Sequence, residues 1–163
     1  MLSELTLSKN RKLMKLKPIH QSPTLKIFSV STETELELPM VGGIVASGFP
    51  SPANDFLDKK IDLNKYLIQH PSTTFIAQTN GNSMIGAGIS DKDLLIIDRA
   101  LEPSDGKIAV CLIDNEFTLK RLQVKKDGIY LVPENPAEKT IKVTEHNNFE
   151  IWGMLTFSIQ KHF

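Results

Sequence analysis

Ser83 lies in a stretch whose composition suits a nucleophile. It belongs to residues 81–85 (GNSMI). The glycine-rich residues 86–88 come next, and the apolar run 94–97 follows them. Glycine accepts backbone φ values that other residues avoid, so this backbone can bend sharply and present a serine hydroxyl. The simpler interpretation is a serine in a glycine-rich loop before a strand, and the stretch alone favours it.

A serine nucleophile needs a base to take its proton, and histidine is the usual one. The Gly-x-Ser-x-Gly motif and the strand–helix alternation of an α/β-hydrolase are both absent from the sequence. His70 and His146 can in principle approach Ser83, but no pattern supports either. Lysine is the other option, because a neutral lysine can accept the proton when apolar surroundings lower its pKa.

Lys120 is the lysine that the pattern distinguishes, because it lies in the middle of a predicted strand over residues 116–124. Strand alternation places it on one face with Leu122 and Val124, and places Arg121 on the other. One of Lys120 and Arg121 must therefore point into a partly apolar face. Only lysine can act as a base there, since arginine stays protonated. The alternative, in which Lys120 extends its amine into solvent, stays open.

The elements that must position these side chains are strands. β-branched and aromatic residues dominate 73–79, and the continuous apolar runs 94–98 and 108–113 predict strands buried on both faces. Asp114-Asn115 and Asp127-Gly128 predict hairpin turns. Further strands are predicted over 116–124, 129–132, 141–143 and 149–159. Short strands separated by turn signals predict a mostly β domain, a compact barrel-like fold or a sandwich.

The N-terminal third is less regular. Residues 1–35 are polar and contain Pro18 and Pro23, so they predict a mostly irregular arm. Residues 36–49 are apolar and rich in glycine, which suits an extended segment in a groove or, equally, an edge strand. A short helix is predicted over 54–61, and a second helical turn over 62–67 ends before Pro71.

Composition excludes several classes of function. The 163 residues carry no formal net charge, so there is no global electrostatic case for nucleic-acid binding. Cys111 is the only cysteine and the four histidines are scattered, which argues against a disulfide framework and a zinc site. We expect no metal and no cofactor. Without a secretory signal or an apolar run of about 18 residues, the default is a reduced, soluble, cytoplasmic protein.

Six motifs, all within residues 48–120, occur in a fixed order in a stretch that runs from about Pro39 to the C terminus. They are residues 48–53 (GFPSPA), 61–64 (IDLN), 67–72 (LIQHPS), 81–84 (GNSM), 88–96 (GISDKDLLI) and 117–120 (FTLK). In these motifs the chain resembles the UmuD proteins, accessory subunits of error-prone DNA polymerases. The UmuD proteins belong to the LexA-like self-cleaving serine peptidases.

The resemblance implies a role for each residue of the site. Ser83 aligns with the nucleophile and Lys120 with the general base, and the scissile bond is Ser47–Gly48. Backbone amides of Asn82 and Ser83 would hold the oxyanion. Residues 1–47 would be a flexible N-terminal arm that self-cleavage removes. Residues 48–163 would be the β-rich peptidase and dimerisation domain, with the LexA/UmuD C-terminal peptidase fold.

The resemblance also implies partners. Family members are stimulated by RecA filaments on single-stranded DNA in the DNA-damage (SOS) response. The shortened product then serves as a homodimer with a UmuC-type Y-family polymerase in translesion synthesis. No membrane and no sequence-specific DNA binding are expected.

Two departures and two alternatives accompany this interpretation. Ser47 stands where alanine or cysteine is usual, and residues 1–23 are extra relative to a typical arm. One alternative is a LexA-type transcriptional regulator, which would need a recognition helix within residues 1–35. The other is an interaction module without catalytic activity.

Overall fold

The computed structural model describes residues 18–30, 32, 35, 37–40 and 59–163. These residues form eleven strands, one short α-helix and one turn of 3₁₀-helix. The strands are β1 Pro18–Gln21, β2 Leu25–Ser29, β3 Glu37–Met40, β4 Lys59–Asp62, β5 Thr74–Thr79, β6 Leu94–Asp98, β7 Ile108–Ile113, β8 Glu116–Lys125, β9 Gly128–Val132, β10 Ile141–Lys142 and β11 Phe149–Ile159. The helix α1 is Leu63–Leu67 and the 3₁₀ turn is Ile85–Ala87.

Nine of these strands form one antiparallel sheet in the order β1-β2-β5-β6-β11-β7-β8-β9-β10. The remaining pair, β3 and β4, forms a separate two-stranded sheet. The long C-terminal strand β11 lies between β6 and β7 and pairs with both. The prediction of a mostly β fold is confirmed.

The hairpin connections follow the turn signals in the sequence. Asp114 and Asn115 join β7 to β8 with φ values of 50° and 68°, as a two-residue hairpin turn requires. Gly128 begins β9 with a φ of 136°. Because the turn fixes the register, Ala109 of β7 stands directly opposite Lys120 of β8.

The core is divided into two clusters. The first contains Leu25, Ile27, Ala77, Met84, Ile89, Leu95, Ile97, Val110, Phe117 and Leu119. The second contains Ala109, Cys111, Leu122, Leu131 and Met154. Neighbouring residues of β7 and β8 are divided between the two clusters, because successive side chains of a strand point to opposite faces. Strands with a buried cluster on each face explain the continuous apolar runs in the sequence.

The prediction of an irregular arm over residues 1–35 is wrong for residues 18–29, which form β1 and β2 of the main sheet. Strand β2 pairs with β5, and Leu25 and Ile27 enter the first core cluster. Burial of these two side chains outweighs the polar composition around them. The recognition helix that a LexA-type regulator would need is not present in residues 18–30; residues 1–17 lie outside the described residues.

The helix predicted over 54–61 is also wrong where it can be compared, because residues 59–61 belong to β4. Residues 54–58 lie outside the described part of the chain. The second predicted helical turn is confirmed as α1. The Asp62 side chain caps it by accepting a hydrogen bond from the backbone N–H of Asn64 at 3.0 Å. Among the described residues, no helix is long and apolar enough to cross a membrane.

Candidate active site

Ser83 lies in the loop of residues 80–93 that connects β5 to β6. Gly81 has a φ of 110°, which glycine adopts without strain, and its N–H donates to Asp91 Oδ1 at 2.8 Å. This hydrogen bond lowers the pKa of the Asp91 carboxyl. After Ser83 the chain makes one 3₁₀ turn and leaves it at Gly88, which is left-handed with a φ of 74°. The sharp backbone bends expected from the glycines are therefore present on both sides of Ser83.

No described residue forms a hydrogen bond with the hydroxyl of Ser83 or with the amides beside it. Within the described residues, Ser83 Oγ forms no hydrogen bond, and the N–H groups of Asn82 and Ser83 donate none. Ser83 is half-buried. It lines a small pocket together with Gly81, Thr24, Leu25, Thr118 and Leu119. An unpaired hydroxyl next to unpaired backbone donors is the arrangement that acyl transfer needs.

A segment that follows β9, residues 133–138, holds the serine loop in place. The N–H of Glu134 donates to the Ser83 carbonyl oxygen at 2.8 Å, and the Glu134 carbonyl oxygen accepts from the Gly86 N–H at 2.7 Å. Asn135 Nδ2 donates to the Asn82 carbonyl oxygen at 3.1 Å. Gly86 permits this approach, since a Cβ there would lie 2.6 Å from the Glu134 carbonyl oxygen.

Lys120 is buried in the middle of β8, with 6% of its surface exposed. The alternative in which Lys120 extends into solvent is therefore wrong. Its side chain shares a strand face with Leu122 and with Ala109 of β7, both members of the second core cluster. Lys120 Nζ lies 3.3 Å from Glu138 Oε2, in the segment that also holds the serine loop.

Cys111 lies near Lys120 in space, and Arg121 follows it in the chain. Burial raises the pKa of the Cys111 thiol to about 12, and the nearby charge of Lys120 opposes this rise to a smaller extent. Arg121 points to the opposite face, where its guanidinium pairs with the Glu134 carboxylate and donates to the Gly106 carbonyl oxygen at 2.7 Å. The strand thus directs its lysine inward and its arginine to a half-exposed ion pair.

The 133–138 segment connects the two candidate catalytic residues. Glu134 contacts the serine loop, and Glu138 pairs with Lys120. Asn135 shapes the turn between them, because its side chain accepts from the Ala137 N–H at 3.0 Å and its carbonyl oxygen accepts from the Glu138 N–H at 3.0 Å. Ser83 Oγ and Lys120 Nζ are not hydrogen-bonded to each other in this conformation.

None of the described histidines is a partner of Ser83. His70 Nδ1 lies 2.5 Å from Asp98 Oδ2, and His20 packs edge-on against Phe117 with ring centroids 4.6 Å apart. His146 is exposed, with Glu145 as its neighbour at 3.9 Å. Lysine therefore remains the candidate base.

Sequence reasoning did not identify the residues that assemble this site. Glu134, Asn135 and Glu138 carry no motif, and their role depends on contacts with residues far away in the chain. In the sequence, Gly86 is distinguished only as part of a glycine-rich stretch. The proposed scissile bond, Ser47–Gly48, lies outside the described residues.

A mostly β domain with a serine-bearing loop and a buried strand lysine defines a class of candidate serine hydrolases. Residues 39–156 match the family described as Peptidase S24-like, and the chain belongs to that family. The family resemblance inferred from the sequence is thereby confirmed.

Three relatives illustrate the similarity. Protein SamA of Salmonella typhimurium is 42% identical over 115 residues, which are 71% of this chain and 79% of SamA. Protein ImpA of Escherichia coli is 37% identical over 124 residues, covering 76% and 83% of the two chains. Protein MucA of Escherichia coli is 38% identical over 119 residues, covering 72% and 81%.

Proposed function

We propose that this protein is a UmuD-like self-cleaving serine peptidase of the SOS response, with Ser83 as nucleophile and Lys120 as general base. The observation that carries the proposal is the hydroxyl of Ser83, which no described residue binds, in a loop held by the same 133–138 segment that pairs with buried Lys120. Membership of the Peptidase S24-like family supports it independently.

The proposed reaction cleaves the bond between Ser47 and Gly48. Lys120 Nζ, in its neutral form, takes the proton of Ser83 Oγ as that oxygen attacks the Ser47 carbonyl carbon. The backbone N–H groups of Asn82 and Ser83 hold the negative oxygen of the tetrahedral intermediate. When the C–N bond breaks, the Lys120 ammonium returns its proton to the leaving amine of Gly48. The result is an ester between Ser83 and Ser47.

Water completes the turnover. It attacks the ester carbonyl carbon, gives one proton to Lys120, and releases Ser83 with its hydroxyl restored. The products are a new carboxylate at Ser47 and a new amino terminus at Gly48. Lys120 Nζ is paired with Glu138, so this pair must open and Ser83 must come within reach of the amine before the first step. Both requirements are consistent with a slow reaction that a partner can accelerate.

We propose a RecA filament on single-stranded DNA as that accelerating partner. The cleaved product would then act as a homodimer with a UmuC-type Y-family polymerase in translesion synthesis. These partners rest on the family resemblance and not on a surface of the structure.

The test of the catalytic residues is mass spectrometry of the purified chain after incubation with RecA, ATP and single-stranded DNA. We expect fragments 1–47 and 48–163, and no cleavage in Ser83→Ala or Lys120→Met. Methionine keeps most of the lysine volume in the buried site. The exposed Ser72→Ala and Lys126→Met are matched controls and should cleave normally. Unchanged cleavage in Ser83→Ala, or cleavage at another bond, would overturn the proposal.

The pH dependence of the reaction tests the role of the lysine. Without RecA, we expect the self-cleavage rate to rise from neutral to alkaline pH, because only the neutral amine accepts a proton. A rate that is flat over this range contradicts the base assignment.

The location of the scissile bond has its own test. We expect Gly48→Glu to block cleavage, because the large charged side chain prevents close approach of the backbone to Ser83. Undiminished processing of this variant would refute the assigned bond.

A further inference from the structure

The fragment that cleavage at Ser47–Gly48 would separate contains three strands of the described structure. Strand β2 lies against β5 in an unbroken antiparallel ladder of five residue pairs, from Leu25 opposite Thr79 to Ser29 opposite Phe75. Strand β1 continues the sheet outward from β2. Residues upstream of the proposed cut thus occupy one edge of the main sheet.

Side chains of β2 are part of the core. Leu25 is 1% exposed and Ile27 is not exposed, and both pack in the first core cluster with Ala77 and Leu95. On the opposite strand face, Lys26 is exposed and Phe28 is half-buried, and Ser29 is exposed at the end of the strand. Buried Leu25 and Ile27 thus alternate with exposed Lys26, as in a strand that has one face in the core. An arm that only rested on the surface would not bury one face in this way.

Polar contacts fix the turn between β1 and β2 to the domain. The Thr24 carbonyl oxygen accepts from the Asn80 N–H at 3.0 Å, and Thr24 Oγ1 donates to the Phe117 carbonyl oxygen at 2.5 Å. Asn80 Nδ2 donates to the Pro23 carbonyl oxygen at 2.5 Å. This turn therefore joins the loop that carries Ser83 to the strand that carries Lys120.

A second pairing spans the proposed cut. Strand β3 precedes the cut and β4 follows it, and the two are paired over four residues, with Leu38 opposite Ile61. Glu37 and Lys60 add an exposed ion pair at 3.1 Å, which contributes little by itself. Cleavage between residues 47 and 48 would break the covalent connection between these strands without breaking their hydrogen bonds.

We propose that the N-terminal fragment stays bound after cleavage, so that the product is a two-chain protein with β2 still seated on β5. The edge of β5 is a strand-acceptor site, and its occupant is residues 22–29 of the same chain. The inference rests on the proposed function only for the position of the cut. Loss of the fragment would leave the β5 edge unpaired. It would also expose the apolar socket, the core residues against which Leu25 and Ile27 pack.

The experiment uses the full chain and does not depend on self-cleavage. A recognition sequence for a site-specific protease replaces residues 45–50 in a Ser83→Ala background, and that protease cuts the folded protein. Native size-exclusion chromatography follows, with denaturing mass spectrometry of each fraction. We expect both fragments in a single peak. Elution of the N-terminal fragment apart from the domain would overturn the inference.

Paired variants identify the contacts that retain the fragment. In the cut protein, Leu25→Ala/Ile27→Ala should weaken retention at least a hundredfold, because two buried side chains are truncated. The exposed pair Lys26→Ala/Ser29→Ala should leave retention unchanged. Equal retention in both double variants would contradict the proposed socket. Circular dichroism of the uncut variants establishes that each one is folded.

Each of the two proposals can be refuted without refuting the other. A fragment that dissociates after the engineered cut refutes retention and leaves the Ser83–Lys120 chemistry intact. A wild-type chain that does not cleave itself refutes the proposed function, while retention after the engineered cut still stands. Hydrogen exchange of the β2 amides gives a second measure of retention, since protection must persist after the cut.

Discussion

Replacement of Gly86 by alanine tests whether the serine loop must dock on the 133–138 segment. The added Cβ would lie 2.6 Å from the Glu134 carbonyl oxygen, whereas ordinary van der Waals contact begins at 3.4 Å. The loop must therefore move away by about 0.8 Å, the difference between these distances. The neighbouring atom is backbone and cannot rotate out of the way.

The expected effect on activity is larger than the effect on stability. The displacement disturbs the hydrogen bonds of Glu134 with Gly86 at 2.7 Å and with Ser83 at 2.8 Å. At about 1 kcal/mol each, their loss lowers the free energy of unfolding by about 2 kcal/mol. A reacting group misplaced by nearly 1 Å slows an enzymatic step by about a hundredfold. We therefore expect Gly86→Ala to fold and to cleave itself about a hundred times more slowly.

The assay is the first-order rate of self-cleavage at alkaline pH, measured on denaturing gels, with urea unfolding of the same samples. Gly106→Ala is the control, because its φ of 74° strains alanine by about 1–2 kcal/mol but no atom lies near the added Cβ. This control should lose stability and keep its rate. A Gly86→Ala protein that cleaves at the wild-type rate would refute the docking argument.

Three further predictions concern other buried groups. Burial raises the pKa of Asp98, but hydrogen bonds from His70, Ala100 and Thr73 outweigh it and hold the pKa below 3.8. Its contribution to stability is full above that pH and is lost as the pH falls through the lowered pKa, so the loss of stability in acid should be shallower in Asp98→Asn than in the wild type. The buried Cys111 thiol, with its pKa raised to about 12, should react with iodoacetamide at pH 8 at least about a hundredfold more slowly in the native protein than in urea; equal rates would contradict its burial. Gly153→Ala should lower the free energy of unfolding by about 1–3 kcal/mol, because its Cβ would lie 2.7 Å from Ile97 Cγ2; unchanged urea unfolding would argue against this close packing.

The strands that carry the site could be predicted because their signals are local. Apolar runs such as 94–98 and 108–113 need burial on both faces, and the turn at Asp114-Asn115 fixes where β8 must begin. The hairpin β1–β2 could not be predicted in the same way. Its strands are short, Pro18 and Pro23 interrupt the pattern, and their pairing depends on a free edge at β5.

The pattern along β8 singled out Lys120 but left its environment open. Because side chains alternate between the two faces of a strand, either Lys120 or Arg121 must face inward. The register of β7 and β8 decides between them, since it places Lys120 opposite Ala109 and next to the second core cluster. Burial of Lys120 is thus a consequence of two strands packing together, which one strand's sequence does not specify.

The sequence by itself determined the mostly β class, the residue types available for chemistry, and the family resemblance carried by six motifs, two of which contain Ser83 and Lys120. Tertiary structure alone decided that the 133–138 segment joins the serine loop to the lysine strand, and that residues 18–29 complete the sheet. The physical reason is that local signals act through periodicity and turns over a few residues. Contacts such as that of Glu134 with Ser83 depend on how distant segments meet.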